Sequence, residues 1–248
     1  MRNDNRGKQL GTLYGVGVGP GDPELLTIKA YNLIREADVV FVPSPRKGGK
    51  SSAQSIAEGI MEDKDSVEFK ELVFPMSRND EVLEKRWKEN AEIVLEACRK
   101  YLKVVFLTLG DPAIYSTFAY LMQEVRRLAP ELPVVTVPGI PTLTLAVDLL
   151  NIPLITGEQK LVLTPLPQKT DSLRPLLSQF DTVVIYKIGE RLKELKAVIK
   201  EEGLEDCCYF VSRAGMPGQY TARGLSNIDS GQVGYLSTMI VKPAEKRP

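Results

Sequence analysis

Lys103-Val-Val-Phe-Leu-Thr-Leu-Gly-Asp-Pro-Ala-Ile-Tyr115 is the stretch on which the fold turns. Residues 104–109 form an apolar run rich in β-branched side chains, the pattern of a strand buried on both faces of a parallel sheet. The run ends in Gly110-Asp111-Pro112, and residues 116–127 then show helical spacing through Phe118, Leu121, Met122 and Val125. A buried strand, a tight turn and a helix place polar backbone at the carboxyl edge of a sheet, where ligands bind in open α/β folds. The plainer reading is an ordinary strand-to-helix connection.

Outward from this unit the same alternation repeats. Residues 12–18 read as a first strand that enters the loop Gly19-Pro-Gly-Asp-Pro23. Residues 25–37 read as a helix with Leu25, Ile28, Leu33 and Ile34 on one side, and 38–42 as a strand stopped by Pro43 and Pro45. A basic glycine loop, Arg46-Lys-Gly-Gly-Lys50, precedes a helix over 52–61. A strand over 67–73 follows, then a long charged helix over 80–100 whose apolar stripe includes Val82, Trp87, Ile93 and Val94. Residues 133–137 supply a fifth strand. Short-linked βα alternation predicts an α/β domain with a doubly wound parallel five-stranded sheet.

Beyond Pro138-Gly-Ile-Pro141 the balance changes. An apolar helix over 142–150 is followed by strands at 160–164, 182–186, 208–212 and 237–242, with one clear helix at 191–202. More strands than helices predicts a second, α+β domain with a mixed sheet. The expected domains are 1–139 and 140–248.

Composition narrows the chemistry. The chain has 248 residues, 43% of them hydrophobic, with 32 basic and 32 acidic side chains. That balance gives no general attraction to nucleic acid or a membrane surface. No apolar run reaches the ~18–20 residues that span a bilayer, and residues 1–10 read as too polar for a signal peptide. Three cysteines without a CxxC spacing predict a reduced, cytoplasmic protein with no structural zinc. There is no histidine, which removes serine–histidine and cysteine–histidine catalysis and every imidazole metal ligand.

Two glycine loops invite nucleotide readings. Gly15-Val-Gly-Val-Gly-Pro-Gly-Asp-Pro23, with Asp38 at a ribose-acid distance, approximates a dinucleotide fingerprint. Counted from Gly17, however, Asp22 stands where the third glycine belongs. Ser44-Pro-Arg-Lys-Gly-Gly-Lys50-Ser51 approximates a phosphate loop, with Ser44 in place of the first glycine. A functional alternative is a basic lid over an anionic substrate, formed by Arg46, Lys47 and Lys50. Arg174, Arg213 and Arg223 are further cations near strand ends or loops.

Three signals occur in one order: V-G-x-G-P-G-D-P in the first strand and loop, L-G-D-P-x-I-Y after the apolar strand, and V-P-G-I before a small-residue helix. Together they resemble the tetrapyrrole methylase family, over roughly residues 12–241. The resemblance implies a two-domain homodimer that binds S-adenosyl-L-methionine in a cleft between its domains. Matched position by position, it implies cofactor contacts from Pro20, Leu109, Gly110, Asp111, Ile114, Pro141 and Thr142, and from Lys187, Ala214 and Thr238 in the second domain. Relatives commonly carry Thr or Ser where this chain has Pro141.

Within the family, the first loop and Gly110-Asp-Pro-Ala-Ile-Tyr-Ser-Thr-Phe118 look most like the branch that methylates C-20 of precorrin-2 or cobalt-precorrin-2 in cobalamin biosynthesis. Uroporphyrinogen methylases usually place an acidic residue after the second strand, where this chain has Pro43. Another ring position, the related diphthine synthases and a phosphate-loop enzyme are the alternatives. A tetrapyrrole substrate, cobalt-chelated or metal-free, carries several carboxylates, and Arg46, Lys47, Lys50, Arg78 and Arg213 are the candidate cations for them. Methyl transfer from a sulfonium to an enamine-like carbon needs positioning more than acid–base help. Asp111, Tyr115 and Tyr14 are the candidates for taking the later proton, beside water.

Overall fold

The computed structural model describes residues 10–61, 67–75, 77 and 79–246. The candidate Arg78 lies outside the described residues. The chain divides into two units, Met1–Pro141 and Thr142–Pro248.

The first unit holds β1 (Thr12–Gly17), β2 (Val39–Ser44), β3 (Phe69–Val73), β4 (Lys103–Thr108) and β5 (Val134–Val137), with α1 (Ile28–Arg35), α2 (Ser52–Glu58), α3 (Asp80–Lys100) and α4 (Thr117–Leu128) as connections. The sheet order is β3-β2-β4-β1-β5 and every pairing is parallel. Val104, Val105, Phe106 and Leu107 are fully buried, because helices cover both faces of such a sheet. Each such side chain contributes about 1.5–3 kcal/mol on burial. At the centre, β1 and β4 are neighbours whose connections leave in opposite directions, β1 toward β2 and β4 toward β5. This is the topological switch point beside which open α/β sheets bind ligands.

Pro43 does not end the second strand; it lies within β2. Val40 N–H donates to Glu68 and the Ser44 carbonyl accepts from Phe74, so even-numbered residues of β2 bond β3 and odd ones face β4. Pairing with β4 stops at Phe41. The proline therefore lacks its N–H only where the ladder on that side has finished.

Two apolar stripes expected from spacing are corrected. Asp22 caps a short 3-10 turn over Pro23–Leu25, and Thr27 separately caps α1. Ile28 is thus the first residue of its helix and 81% exposed. On α3 the buried side runs through Asn90, Ala91, Val94, Leu95, Ala97 and Cys98. Val82 and Ile93 are about half exposed, since Ile93 points about 100° around the helix from Val94.

The second unit holds α5 (Thr142–Leu150), β6 (Leu161–Pro165), α6 (Arg174–Gln179), β7 (Thr182–Tyr186), α7 (Leu192–Glu201), β8 (Cys208–Ser212), β9 (Tyr220–Arg223) and β10 (Ser237–Val241). The sheet order is β6-β7-β10-β8-β9, parallel between β6 and β7 and antiparallel elsewhere. Alternation along the strands serves two cores. Val184, Val211 and Ile240 meet Ala146, Val147 and Leu150 of α5, while Val183, Ile185, Phe210, Met239 and Val241 cluster with Leu177, Leu195 and Ile199. The α/β fold with a five-stranded parallel sheet and a mixed second sheet is as the sequence pattern predicts, though the second sheet has five strands where four are expected. The strand β9 and helix α6 are additions to it. No helix among the described residues is long and apolar enough to cross a membrane.

Candidate functional site

Three strand-end loops of the first unit meet on main chain. Gly110 N–H donates to the Gly19 carbonyl at 2.7 Å, and Gly19 N–H donates back to the Gly110 carbonyl at 3.3 Å. Both glycines have left-handed backbone, with φ of 80° and 69°, which a side chain would strain. The third loop closes over them. A Cβ on Gly139 would lie 2.2 Å from the Gly110 oxygen, and one on Gly17 would lie 2.5 Å from the same atom. Gly15 is occupied from the other direction, because a Cβ there would lie 2.2 Å from the Phe118 ring. These glycines admit the chain itself at close quarters.

Asp111 braces this junction. Its Oδ1 accepts from Ala113 N–H at 2.8 Å and its Oδ2 from Gly139 N–H at 3.1 Å. Ile114 N–H bonds the Asp111 carbonyl at 3.3 Å, so Pro112 sits at the corner of a β-turn that the side chain reinforces. Each carboxylate oxygen keeps further acceptor capacity, and the side chain is half-buried. An acceptor of that kind suits hydroxyl and ammonium donors. Pro20 is buried, while Leu109, Ile114 and Pro141 are half-buried.

Tyr115 follows this turn in left-handed backbone, with φ of 49°, an uncommon and costly conformation for an aromatic residue. Ser116 then caps α4 and shares a buried 2.7 Å hydrogen bond with Thr108, tying the helix start to the end of β4. Tyr115 is 46% exposed, and partial burial raises its phenol above the ordinary value. It stays protonated and is suited to donate a hydrogen bond. Tyr14 is not part of this group. It lies three residues before the end of β1, about 10 Å back along the strand. Asp38 lies farther still, accepting from Leu102 and Lys103 N–H at 3.0 and 2.8 Å at the amino end of β4. It is a strand brace on the edge opposite the loops, so the dinucleotide reading has no acid where it needs one.

The basic glycine loop follows β2, which is the neighbour of β4 in the sheet. Its Gly48 and Gly49 N–H groups donate to the two carboxylate oxygens of Glu71, at 2.9 and 3.2 Å. The amides that would cradle a phosphate already hold a carboxylate from β3. The Ser44 hydroxyl, the Gly48 and Gly49 N–H groups and Lys47 hold the Glu71 carboxyl below its usual range. Arg46, Lys47 and Lys50 are exposed. No pattern in the sequence links Glu71 to this loop.

In the second unit, Lys187 and Arg213 directly follow β7 and β8, both in left-handed backbone with φ of 57° and 51°. Thr238 is buried opposite Tyr186 and Val211 near the start of β10. Lys187, Arg213, Ala214 and Thr238 therefore share one edge of the mixed sheet, where Ala214 is buried and Lys187 exposed. Thr142 is the first residue of α5. Arg213 is held rather than neutralised. Its guanidinium bonds the Gln232 amide oxygen at 3.1 Å and covers Gly218, where a Cβ would lie 3.1 Å away. Arg174, by contrast, pairs with Asp171, Glu201 and Glu202, and Arg223 bonds the Leu150 carbonyl; both are structural. Among the described residues no group of His, Cys, Asp and Glu is arranged to hold a metal ion.

A doubly wound sheet with a main-chain junction at its switch point, joined to a mixed-sheet unit, defines a two-unit α/β ligand-binding protein. The chain belongs to the tetrapyrrole (corrin/porphyrin) methylases, whose family model matches residues 12–227. A "probable cobalt-precorrin-2 C(20)-methyltransferase" of Methanocaldococcus jannaschii is 36% identical over 95% of this chain and 97% of its own length. The cobalt-precorrin-2 C(20)-methyltransferase of Salmonella typhimurium is 30% identical over 93% and 96%. Among solved structures, uroporphyrin-III C-methyltransferase from Thermus thermophilus, in complex with S-adenyl homocysteine, shares the fold. Its TM-score is 0.64 at 23% identity, over 95% of this chain and 99% of its own.

Proposed function

We propose that this protein is an S-adenosyl-L-methionine-dependent methyltransferase acting on C-20 of precorrin-2 or cobalt-precorrin-2, and that it works as a cytoplasmic homodimer. The observation that carries the reading is the 36% identity to a C-20 methyltransferase over nearly the whole of both chains. When bound, S-adenosyl-L-methionine supplies an electrophilic methyl group on a sulfonium centre.

The protein's own part is to hold and orient. Asp111 offers acceptors beside the glycine junction, with Pro20, Leu109, Gly110 and Ile114 shaping the surface around it, and Pro141 and Thr142 following Gly139. Lys187, Ala214 and Thr238 are the second unit's contributions. Rigid main chain is suited to this task, because a reaction governed by approach geometry loses rate when its parts shift. Arg46, Lys47, Lys50 and Arg213 receive substrate carboxylates through charge-assisted hydrogen bonds. With no histidine in the chain, the C-20 proton leaves to water or Asp111, and Tyr115 donates a hydrogen bond nearby.

The test is incubation of the protein with methyl-labelled S-adenosyl-L-methionine and precorrin-2, with and without cobalt, followed by mass analysis and carbon NMR. A single label at C-20 is expected. Label at another ring position, or none, overturns the assignment.

A further inference from the structure

The glycine loop between β2 and α2 resembles a phosphate cradle, yet the protein fills that cradle itself. Glu71 reaches across from β3, 22 and 23 residues away in sequence, and takes the N–H groups of Gly49 and Gly48 on its two oxygens. Two further contacts shape the loop from within. The Ser44 hydroxyl, 2.6 Å from the Arg46 carbonyl, turns its one proton either to that oxygen or to Glu71, and Gly49 N–H donates to the same carbonyl at 3.0 Å. Gly49 has no room for a side chain, since a Cβ would lie 2.5 Å from the Ser44 oxygen, and Gly48 is left-handed at φ 69°. A run of Arg-Lys-Gly-Gly-Lys would otherwise be among the most mobile segments in the chain.

The loop's place in the sheet gives this clamp a use. It leaves β2 at the carboxyl edge, and β2 pairs with β4, which ends in the Gly110–Asp111 turn. The loop and the glycine junction therefore leave the same carboxyl edge of one parallel sheet, from strands that are neighbours in its order. Its three exposed cations outweigh the single charge of Glu71, leaving an excess of positive charge there. Among the described residues every salt bridge lies elsewhere.

We propose that Glu71 is a positioning residue: it fixes the glycine loop so that Arg46, Lys47 and Lys50 stand ready for the carboxylates of the substrate. This rests on the tetrapyrrole reading above and goes beyond it by naming the group that orders the cationic loop. Ordering the loop in advance removes part of the entropy that substrate binding would otherwise lose.

The variants Glu71→Gln and Glu71→Asp separate this role from a merely structural one. The amide of Glu71→Gln sets a donor against a glycine N–H, whereas Glu71→Asp keeps the charge on a shorter arm. Without any substrate, trypsin should cut after Arg46, Lys47 and Lys50 several-fold faster in Glu71→Gln than in the parent, with Glu71→Asp between them. With tetrapyrrole, KM should rise roughly 5- to 30-fold in Glu71→Gln, as the loss of one modest interaction gives. The dissociation constant for S-adenosylhomocysteine should hold. Unchanged trypsin cleavage overturns the clamp. Faster cleavage with an unchanged or lower KM overturns its use for substrate. Failure of the parent protein to methylate any tetrapyrrole would instead remove the underlying reading, while the cleavage rates still report on the clamp.

Discussion

Replacing Asp111 by alanine removes two acceptors at once. One holds Ala113 N–H at 2.8 Å within the turn, and the other holds Gly139 N–H at 3.1 Å in the neighbouring loop. Hydrogen bonds to a charged group contribute about 1.5–3 kcal/mol each. The side chain is half-buried, so water replaces part of each bond and the lower end of that range applies. The expected loss for Asp111→Ala is therefore roughly 3 kcal/mol, or about 6–12 °C in melting temperature for a chain of this size. Asp111→Asn keeps one carbonyl acceptor but turns an amide nitrogen toward the other N–H, so about half the loss is expected. Scanning calorimetry reads stability, and titration with S-adenosylhomocysteine reads affinity, which should fall roughly tenfold for a further 1.4 kcal/mol. Equal stability loss in the two variants, or none in either, would refute the bracing role. Lost affinity without lost stability would assign Asp111 to the ligand alone.

Three other outcomes are expected. Gly139→Ala drives a Cβ to 2.2 Å from the Gly110 oxygen and 2.8 Å from the Gly17 carbonyl carbon; overpacking of this kind costs about 1–3 kcal/mol, so the urea midpoint should fall, and an unchanged midpoint would contradict the close packing of the loops. Burial pushes the Cys98 and Cys208 thiols up to about 12. The unfolded chain then releases these protons first, near pH 8.5–9, and stability should fall as pH climbs from there toward 12. At neutral pH both thiols should resist alkylation until the protein unfolds, and rapid labelling of the native protein would count against that burial. Gln232→Glu sets a carboxylate against the Arg213 guanidinium; KM for the tetrapyrrole should rise roughly tenfold with cofactor affinity kept, as neutralising a docking charge predicts. No change would remove Arg213 from the substrate set.

The sequence carries the parts of this fold that depend on local pattern. The apolar run before Gly110 reads as a buried strand because both faces of β4 are covered, and the Gly-Asp-Pro turn reads as a turn because only certain residues tolerate it. What escapes is whatever depends on a partner far along the chain. Glu71 looks like any exposed strand acid until β2 and β3 are paired and its oxygens meet Gly48 and Gly49. Asp38 looks like a ribose acid until the amino end of β4 is set beside it. The glycines of the first loop pose the same problem. Their spacing shows that something comes close, and only packing shows it to be the Phe118 ring and the Gly110 and Gly139 backbone. Strain at Tyr115 leaves no trace in composition, because tyrosine is not a residue that favours left-handed backbone. The short β9 is missed for want of burial, with Ala222 its one buried residue.

The reciprocal pair of hydrogen bonds between Gly19 and Gly110, with Gly139 packed on top, makes the centre of the sheet edge a surface without side chains. Such a surface has a fixed vocabulary: its donors, acceptors and contours belong to the polypeptide itself and no point substitution can reword them without breaking the packing. On the function proposed above, selectivity between one tetrapyrrole and another falls to side chains that remain free to vary, and the cationic loop over 44–51 and Tyr115 are the proposed places for it. For a designer this divides the edge into a socket and a dial. Exchanging the 44–51 loop together with its Glu71 clamp is the route to a new acceptor, leaving the main-chain junction as it stands.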